Sequence, residues 1–167
     1  MNNACVYWIT GLPGAGKTTF AKALVKRLRR KHSNVVHLDG DDLRKVFDNH
    51  DFSTGARMKL AMQYARMAEL LVNQSMIVVV STVSLFHEIH QWNRINLLGY
   101  IEIYLNPGKT VLKQRNQKNL YDDMEVNTRN ILGKGIEPEY PKSPDYIFNN
   151  VNISELDSNI ENIINHV

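Results

Sequence analysis

The sequence of 167 residues lacks the features of secreted and membrane proteins. Cys5 is its only cysteine, so no disulfide bond can form within the chain. The longest apolar runs, residues 4–9 and 76–80, are far shorter than the about 20 residues that a membrane-spanning helix needs. The first residues have neither the charged start nor the apolar core of a signal peptide. We therefore expect a cytoplasmic protein in a reducing compartment, without a membrane partner.

The excess of positive over negative charge is also small, since the net charge is only +3. The one dense basic stretch, residues 26–31, lies where a predicted helix ends. Lysines and arginines there complement the negative end of the helix dipole, and no aromatic residues lie between them as they do in grooves that bind single strands. Nucleic acid is therefore not favoured as a partner. From the length of the chain, residues 1–167 are expected to form a single domain.

The most informative segment is Gly11–Thr18, Gly-Leu-Pro-Gly-Ala-Gly-Lys-Thr, which matches the phosphate-binding loop G-x-x-x-x-G-K-[ST]. A buried-strand pattern precedes it and a helical pattern follows it, as the motif requires. Glycines let backbone N–H groups approach phosphate oxygens, Lys17 can reach the β- and γ-phosphates, and the Thr18 hydroxyl can ligate Mg²⁺. The sequence thus predicts a site for ATP and Mg²⁺. The predicted ATP-binding residues are Gly11, Leu12, Pro13, Gly14, Ala15, Gly16, Lys17, Thr18 and Thr19.

Apolar strand patterns alternate with helical patterns along the chain. Strands are predicted at 5–10, 35–38, 76–81, 100–105 and 146–148, and helices after the phosphate loop, at 43–47, 54–73, 86–97 and 109–118, and from 154 onwards. This alternation predicts an α/β fold of the P-loop NTPase type, a doubly wound parallel sheet with helices on both faces and ligands at the carboxyl ends of the strands. Between about 119 and 144 the apolar rhythm weakens, which indicates a mobile lid or a long loop.

The class of P-loop protein depends on where the acidic residues lie. The base-reading motif of GTPases, Asn-Lys-x-Asp, is absent, and the strand at 76–81 does not end in an acid. Acids follow the second strand instead, in Leu38–Arg44, Leu-Asp-Gly-Asp-Asp-Leu-Arg. A carboxylate there can accept a hydroxyl proton or orient Mg²⁺, whereas helix capping is the plainer explanation of the same acids. Lys17, Asp39 and Asp41 are the predicted catalytic residues, and Thr18 and Asp39 are the predicted metal ligands.

These motifs resemble those of the adenylylsulfate kinase family, in which Gly-Leu-x-Gly-x-Gly-Lys-[ST]-Thr and Leu-Asp-Gly-Asp-x-[ILV]-Arg are followed by Asp-Phe-[ST]. The corresponding residues here are 11–19, 38–44 and 51–53. The resemblance implies transfer of the ATP γ-phosphate to a ribose 3′-hydroxyl of a small nucleotide, with Asp41 facing that hydroxyl and Asp39 near Mg²⁺. It also leaves a homodimer open, because members of the family are commonly dimers. The acceptor-binding residues that it implies are Asp41, Arg44, Phe52, Arg57, Ser84, Leu85 and Phe86.

The acceptor side departs from the family pattern. The paired lysines of the family's lid are Asp122 and Asp123 here, and the second stacking aromatic is Ile131. Two aspartates facing a sulfate-bearing acceptor would repel it. Residues 81–86 and 92–94 resemble adenylylsulfate-kinase-like proteins of bacterial surface-polysaccharide pathways, a branch in which cytidine diphosphoramidate is an acceptor. The small-molecule nucleotide acceptor is therefore open between adenylylsulfate and, in capsule biosynthesis, cytidine diphosphoramidate.

Several other polar residues have two interpretations each. Arg115 lies where lid arginines of small-molecule kinases contact ATP phosphates, and a surface salt bridge is its alternative. His87 and His90 are three residues apart, and we expect a solvated helix face there because a metal site would need a third ligand, which is not evident. Trp92 and Arg94 either line the acceptor site or take part in packing.

Two functions of other classes compete with a small-molecule kinase. A kinase acting on RNA or DNA ends would use the basic stretch at 26–31, and a nucleotide-binding regulatory protein would bind ATP without transferring phosphate. Neither accounts for Asp39, Asp41, Arg44 and Phe52 together. A kinase with a nucleotide acceptor is therefore the predicted function.

Overall fold

A computed structural model of the protein describes residues 4–115, 137–149 and 153–165, in which strands and helices alternate. The strands are β1 (Cys5–Thr10), β2 (Val35–Asp39), β3 (Ile77–Ser81), β4 (Tyr100–Leu105) and β5 (Tyr146–Phe148). The helices are α1 (Lys17–Leu28), α2 (Gly40–Val46), α3 (Thr54–Val72), α4 (His87–Asn96), α5 (Lys109–Arg115) and α6 (Ile153–Asn165). Among these six helices, none combines the length and the hydropathy needed to cross a membrane.

The strands form one parallel sheet in the order β2-β3-β1-β4-β5. β1 is the central strand, and its Val6 pairs with Val78 on one side and with Tyr100 on the other. Because neighbouring strands are all parallel, their carboxyl ends lie at one edge of the sheet. This architecture confirms the predicted α/β fold. It places the end of β1, which carries the phosphate loop, and the end of β2, which carries the acids, on either side of the end of β3.

Alternate residues of the inner strands face two separate cores. In the first core, on one face, Ile9 packs with Phe20 of α1 and with Ile160 of α6. In the second core, on the other face, Trp8 packs with Leu60 of α3 and with side chains of α2 and α4. Since both faces of the sheet are covered, the inner strands are nearly continuous apolar runs, in which Glu102 of β4 is a buried charged exception.

The predicted elements agree with the structure except near some of their ends. The helix after β2 begins at Gly40 and not near residue 43, because the Asp39 side chain accepts a hydrogen bond from the Asp41 N–H and caps the helix. Ser53 caps α3 through a hydrogen bond from the Ala56 N–H, as the sequence predicts. The predicted extension of α5 to residue 118 lies outside the described residues.

The predicted lid at 119–144 is described only from residue 137 onwards. Residues 137–144 lie against the start of α4, where the Glu139 N–H donates to the Leu85 carbonyl at 3.1 Å. The Glu139 carboxylate in turn accepts a hydrogen bond from the His87 N–H at 2.6 Å, so it caps the first turn of α4. This part of the predicted lid is thus joined to the segment between β3 and α4.

Candidate functional site

The phosphate loop connects the carboxyl end of β1 to the first turn of α1. Gly16 is the N-cap residue of α1 and has a left-handed backbone with a φ of 93°, which side chains other than glycine rarely adopt. Gly11 lies so close to the Leu105 carbonyl oxygen of β4 that a Cβ atom there would collide with it. These two glycines let the loop turn tightly between the strand and the helix. The N-terminus of α1 is thereby directed at the edge where a phosphate would bind.

Lys17 and Thr18 occupy the first turn of α1, next to the loop. The Lys17 ammonium donates to the Leu12 carbonyl at 2.9 Å, which keeps the side chain folded over the loop. The Thr18 hydroxyl donates to Asp39 Oδ2 at 2.8 Å and so joins α1 to the end of β2. Thr19 is exposed, whereas Ala15 is fully buried inside the loop. The structure therefore brings the predicted metal ligands Thr18 and Asp39 into direct contact.

The Asp39 carboxylate is held by three hydrogen bonds. Oδ2 accepts from the hydroxyls of Thr18 and Ser81, both at 2.8 Å, and Oδ1 accepts from the Asp41 N–H at 3.0 Å. Burial alone would raise the pKa of Asp39, but the hydrogen bonds from Ser81, Thr18 and the Asp41 N–H outweigh it and hold that pKa below its usual value. Asp39 is therefore ionised at neutral pH. A carboxylate oxygen and a hydroxyl oxygen side by side are ligands of the kind that Mg²⁺ prefers.

Ser81 and His37 extend this network behind Asp39, and the sequence interpretation missed both. Ser81 is buried and is the register partner of Asp39 on β3, while His37 Nε2 lies 3.0 Å from Ser81 Oγ. Burial lowers the pKa of His37, so the ring is neutral at pH 7. A usable signal existed: His37 and Asp39 are two residues apart in one strand and share a face, and Ser81 is the polar end of an otherwise apolar run.

Asp41 lies in the first turn of α2, directly after the end of β2. Its side chain is exposed at the strand edge, and its N–H is bonded to Asp39 as described. Tyr64 of α3 stabilises this turn, because its hydroxyl donates to the Gly40 carbonyl at 3.0 Å. Burial raises the pKa of Tyr64 to about 12, so the phenol keeps its proton. The two predicted catalytic carboxylates are therefore adjacent, one held in a network and the other exposed.

Arg44, Phe52 and Arg57 form a second cluster, where α2 is joined to α3. The Arg44 guanidinium carbon lies 4.5 Å from the centre of the Phe52 ring, and that of Arg57 lies 5.3 Å from it. Arg44 Nη1 donates to the Asn49 side chain at 2.9 Å and to the Asp51 carbonyl at 3.0 Å, which orders the connecting loop. Burial and the charge of Arg44 lower the pKa of Arg57. The cluster gathers two cations around one partly exposed ring, a combination suited to an anionic nucleotide.

The segment between β3 and α4 contains the remaining predicted acceptor residues. Leu85 and Phe86 are buried in the second core, and the Ser84 hydroxyl is buried within 2.9 Å of the Thr82 hydroxyl. The side chains of Leu85 and Phe86 thus pack inside the protein, and their contact with an acceptor stays a prediction. Arg115 is half-buried at the end of α5, the last described residue before the segment 116–136, which contains Asp122, Asp123 and Ile131.

The expectation of a solvated histidine face on α4 is wrong for His90. His90 is buried, and its Nε2 lies 2.9 Å from the Ser84 carbonyl, to which it donates. The reason is that this face of α4 turns towards β4, where the buried Glu102 lies 3.7 Å from His90 Nδ1. His87 is more exposed and lies 2.9 Å from the Tyr140 carbonyl. Across the described residues, no group of three or more His, Cys, Asp or Glu side chains could hold a metal ion.

Trp92 and Arg94 take part in packing rather than in a visible acceptor site. Trp92 lies against the second core, with the Arg66 guanidinium 5.7 Å from its ring centre. Arg94 pairs with Asp145 at 3.0 Å and with Glu102 at 3.3 Å. Arg94 therefore joins α4 to β4 and to the residues that precede β5.

Comparison with known proteins agrees with this geometry. The family model for adenylylsulphate kinase matches residues 3–149. The chain is 38% identical to the cytidine diphosphoramidate kinase of Campylobacter jejuni over 164 residues, which cover 98% of this chain and 96% of that protein. It is 33% identical to a probable adenylyl-sulfate kinase of Archaeoglobus fulgidus over 144 residues, which cover 85% of this chain and 93% of that protein. The Mycobacterium tuberculosis APS kinase, solved in complex with AMPPNP and APS, has the same fold, with a TM-score of 0.82 at 24% identity, covering 97% of this chain and 96% of that one.

Proposed function

Because the chain belongs to the adenylylsulfate kinase family, we propose that it transfers the γ-phosphate of ATP to a ribose 3′-hydroxyl of a small anionic nucleotide, with cytidine diphosphoramidate as the first candidate acceptor. The observation that carries this choice is the 38% identity to the cytidine diphosphoramidate kinase of Campylobacter jejuni, which extends over nearly the whole length of both chains. Such an activity would serve the synthesis of capsule polysaccharide.

On the donor side, the phosphate loop and Lys17 would bind ATP. Backbone N–H groups of the loop and the first turn of α1 provide hydrogen-bond donors for phosphate oxygens. Lys17 now donates to the Leu12 carbonyl at 2.9 Å, and a bound phosphate would compete with this carbonyl for the ammonium group. Its positive charge would then stabilise the charge that develops on the phosphoryl oxygens during transfer. Arg115 is a further proposed contact of the ATP phosphates.

The residues present fit a magnesium ion. Asp39 is ionised and lies 2.8 Å from the Thr18 hydroxyl, so the two provide adjacent oxygen ligands of the hard type. Asp39 and Thr18 would hold the ion beside the phosphate loop. Bound Mg²⁺ would neutralise negative charge on the β- and γ-phosphate oxygens.

Asp41 is the proposed general base. Its carboxylate is exposed at the end of β2, one residue from Gly40, whose carbonyl is fixed by Tyr64. Asp39 is half-buried and accepts three hydrogen bonds, whereas the side chain of Asp41 is exposed at this edge. Asp41 would accept the proton of the 3′-hydroxyl as the hydroxyl oxygen attacks the γ-phosphorus and ADP leaves.

The cluster of Arg44, Phe52 and Arg57 is the proposed acceptor site. Two guanidinium groups within 5.3 Å of the Phe52 ring centre would bind the negatively charged end of the acceptor. The ring, 46% exposed, offers an aromatic surface to the pyrimidine. The proposed contacts of Ser84, Leu85 and Phe86 would be made by their backbone or by side chains that shift on binding, since all three side chains are buried.

Adenylylsulfate is the second candidate acceptor. It is favoured by the family model, which matches residues 3–149, and by the 33% identity to a probable adenylyl-sulfate kinase of Archaeoglobus fulgidus. Both candidates are nucleotides with an anionic group beyond the first phosphate, so Arg44 and Arg57 suit either. They differ in the size of the base that must fit beside Phe52.

ADP release with Mg-ATP tests the proposal. Wild-type protein is incubated with cytidine diphosphoramidate, with adenylylsulfate or without acceptor, and the position of the new phosphate is assigned by ³¹P NMR. We expect turnover with the cytidine compound to exceed that with adenylylsulfate, and Asp41→Asn to abolish both while it still binds ATP. Preference for adenylylsulfate would reverse the choice of acceptor. ADP release that no acceptor accelerates would refute transfer to either nucleotide.

A further inference from the structure

His37, Asp39 and Ser81 lie on the face of the sheet that α1 covers. Residues at 35, 37 and 39 of β2 share this face, as do residues at 77, 79 and 81 of β3. Val35, Ile77 and Val79 belong to the first core, so the three polar side chains continue an apolar face up to the edge where ATP would bind. Ser81 is only 3% exposed and is thus enclosed rather than solvated.

The direction of the hydrogen bonds in this chain follows from the chemistry of its members. An ionised Asp39 has no proton and can only accept. Ser81 has a single hydroxyl proton, which it donates to Asp39 Oδ2 at 2.8 Å. The oxygen of Ser81 then accepts from His37 Nε2 at 3.0 Å, so the Nε2 atom of His37 carries the ring proton. In the order His37, Ser81, Asp39, each of the two hydrogen bonds therefore has one donor and one acceptor.

We propose that Ser81, oriented by His37, is a positioning residue that fixes the Asp39 carboxylate for magnesium binding. This inference rests on the proposed function, since it concerns the same ATP site. Asp39 Oδ2 has two side-chain donors, and Thr18 is the one whose oxygen would also have to ligate the ion. Ser81 lies on β3 and takes no part in the phosphate loop, so it is the donor to Asp39 that need not move to bind a nucleotide or the ion. Groups that orient metal ligands in this way typically contribute tenfold to hundredfold to metal affinity.

The linkage between Mg²⁺ and nucleotide affinity tests this role. The dissociation constant of AMPPNP is measured by calorimetry in saturating Mg²⁺ and again in EDTA, and their ratio is the coupling factor. We expect Ser81→Ala to reduce the coupling factor about tenfold, while the dissociation constant of AMPPNP in EDTA changes less than about twofold. Ser81→Thr, which keeps the hydroxyl, should restore the factor. Ser158→Ala is the control, because its hydroxyl donates to the Glu155 carbonyl within α6, a helix that provides no residue of the proposed ATP site.

The outcomes separate this inference from the proposed function. A coupling factor in Ser81→Ala equal to that of wild type would overturn the positioning role, as would an equal loss of affinity in Mg²⁺ and in EDTA. If wild-type protein binds AMPPNP equally well in Mg²⁺ and in EDTA, the proposed magnesium site fails, and if it does not bind AMPPNP at all, the proposed function itself fails. Should Ser81→Ala not fold, His37→Leu provides the test. It removes the donor to Ser81, and the coupling factor should then fall by more than about twofold. An unchanged factor in His37→Leu would equally overturn the proposal.

Discussion

Replacing Arg94 by alanine should destabilise the protein strongly, although nearly half of this side chain is exposed. Arg94 Nη2 donates to Glu102 at 3.3 Å and to the Ser143 carbonyl at 3.0 Å, and Nη1 binds both oxygens of Asp145. The Glu102 side chain is only 4% exposed, against 41% for Arg94. Without Arg94, the buried Glu102 would keep a hydrogen bond from the Tyr100 hydroxyl, at 3.0 Å, and would lose its cationic partner.

The expected loss is about 3 kcal/mol in the free energy of unfolding. A hydrogen bond to a buried charged group contributes about 1.5–3 kcal/mol, and the bond to the Ser143 carbonyl contributes about 1 kcal/mol. The pair with Asp145 is partly exposed and adds less than about 1 kcal/mol. The expected loss lies near the lower end of the sum of these contributions, because water can partly solvate Glu102 once the Arg94 side chain is gone.

Urea unfolding followed by circular dichroism measures this loss. With a slope of about 2 kcal/mol per molar urea, the midpoint should fall by about 1.5 M. Arg30→Ala, at an exposed position after α1, is the matched control and should change stability by less than about 0.5 kcal/mol. In a Glu102→Gln background, Arg94→Ala should cost less than about 2 kcal/mol, because no buried charge is left unpaired. A loss below about 1 kcal/mol in the wild-type background would refute this account of the network.

Three further predictions concern the site. Asp41→Asn should lower the rate of phosphate transfer at least about a hundredfold while the calorimetric affinity for AMPPNP stays within about twofold, and unchanged turnover would remove Asp41 from the mechanism. Phe52→Ala should raise the KM for the acceptor about tenfold through lost stacking and leave the KM for ATP unchanged, and equal effects on both constants would argue against an acceptor site there. Because the pKa of Asp39 is lowered in the folded state, its contribution to stability should be full above its ordinary value near pH 3.8 and disappear as the pH falls further. Urea unfolding of wild type and Asp39→Asn between pH 7 and 3 measures this, and a difference already lost at pH 5 would contradict the assignment.

The fold could be predicted largely from the sequence because the inner strands are covered on both faces. The residues of β4, 100–105, match the prediction at both ends, since an apolar run is bounded there by Gly99 and Asn106. The start of α2 was misplaced because the same carboxylate, Asp39, both ends β2 and caps the helix, so strand and helix follow without a loop. Local capping geometry of this kind becomes visible only once the strand end is known.

The proximity of the predicted metal ligands was also predictable, whereas the contacts of their supporting residues were not. The proximity of Thr18 to Asp39 follows from the motif and from the rule that parallel strands end at one edge. The bond from Ser81 to Asp39 depends on the register of β2 against β3, which no local pattern reveals. His90 was misjudged because its burial depends on Glu102, a charged residue of β4 that an apolar pattern does not mark as part of the interior.

With the two sites as proposed, their positions in the fold would allow the acceptor to change while ATP binding is kept. The phosphate loop and Asp39 are attached to β1, β2 and β3, whose side chains fill both cores, so changes there would disturb the whole sheet. Phe52 lies in the exposed connection between α2 and α3 and is held mainly by Arg44 and Arg57. Substitutions in such a loop cost little stability, because few core contacts are lost. With the sites as proposed, acceptor specificity would diverge at the loop without altering the residues proposed to bind the phosphates of ATP.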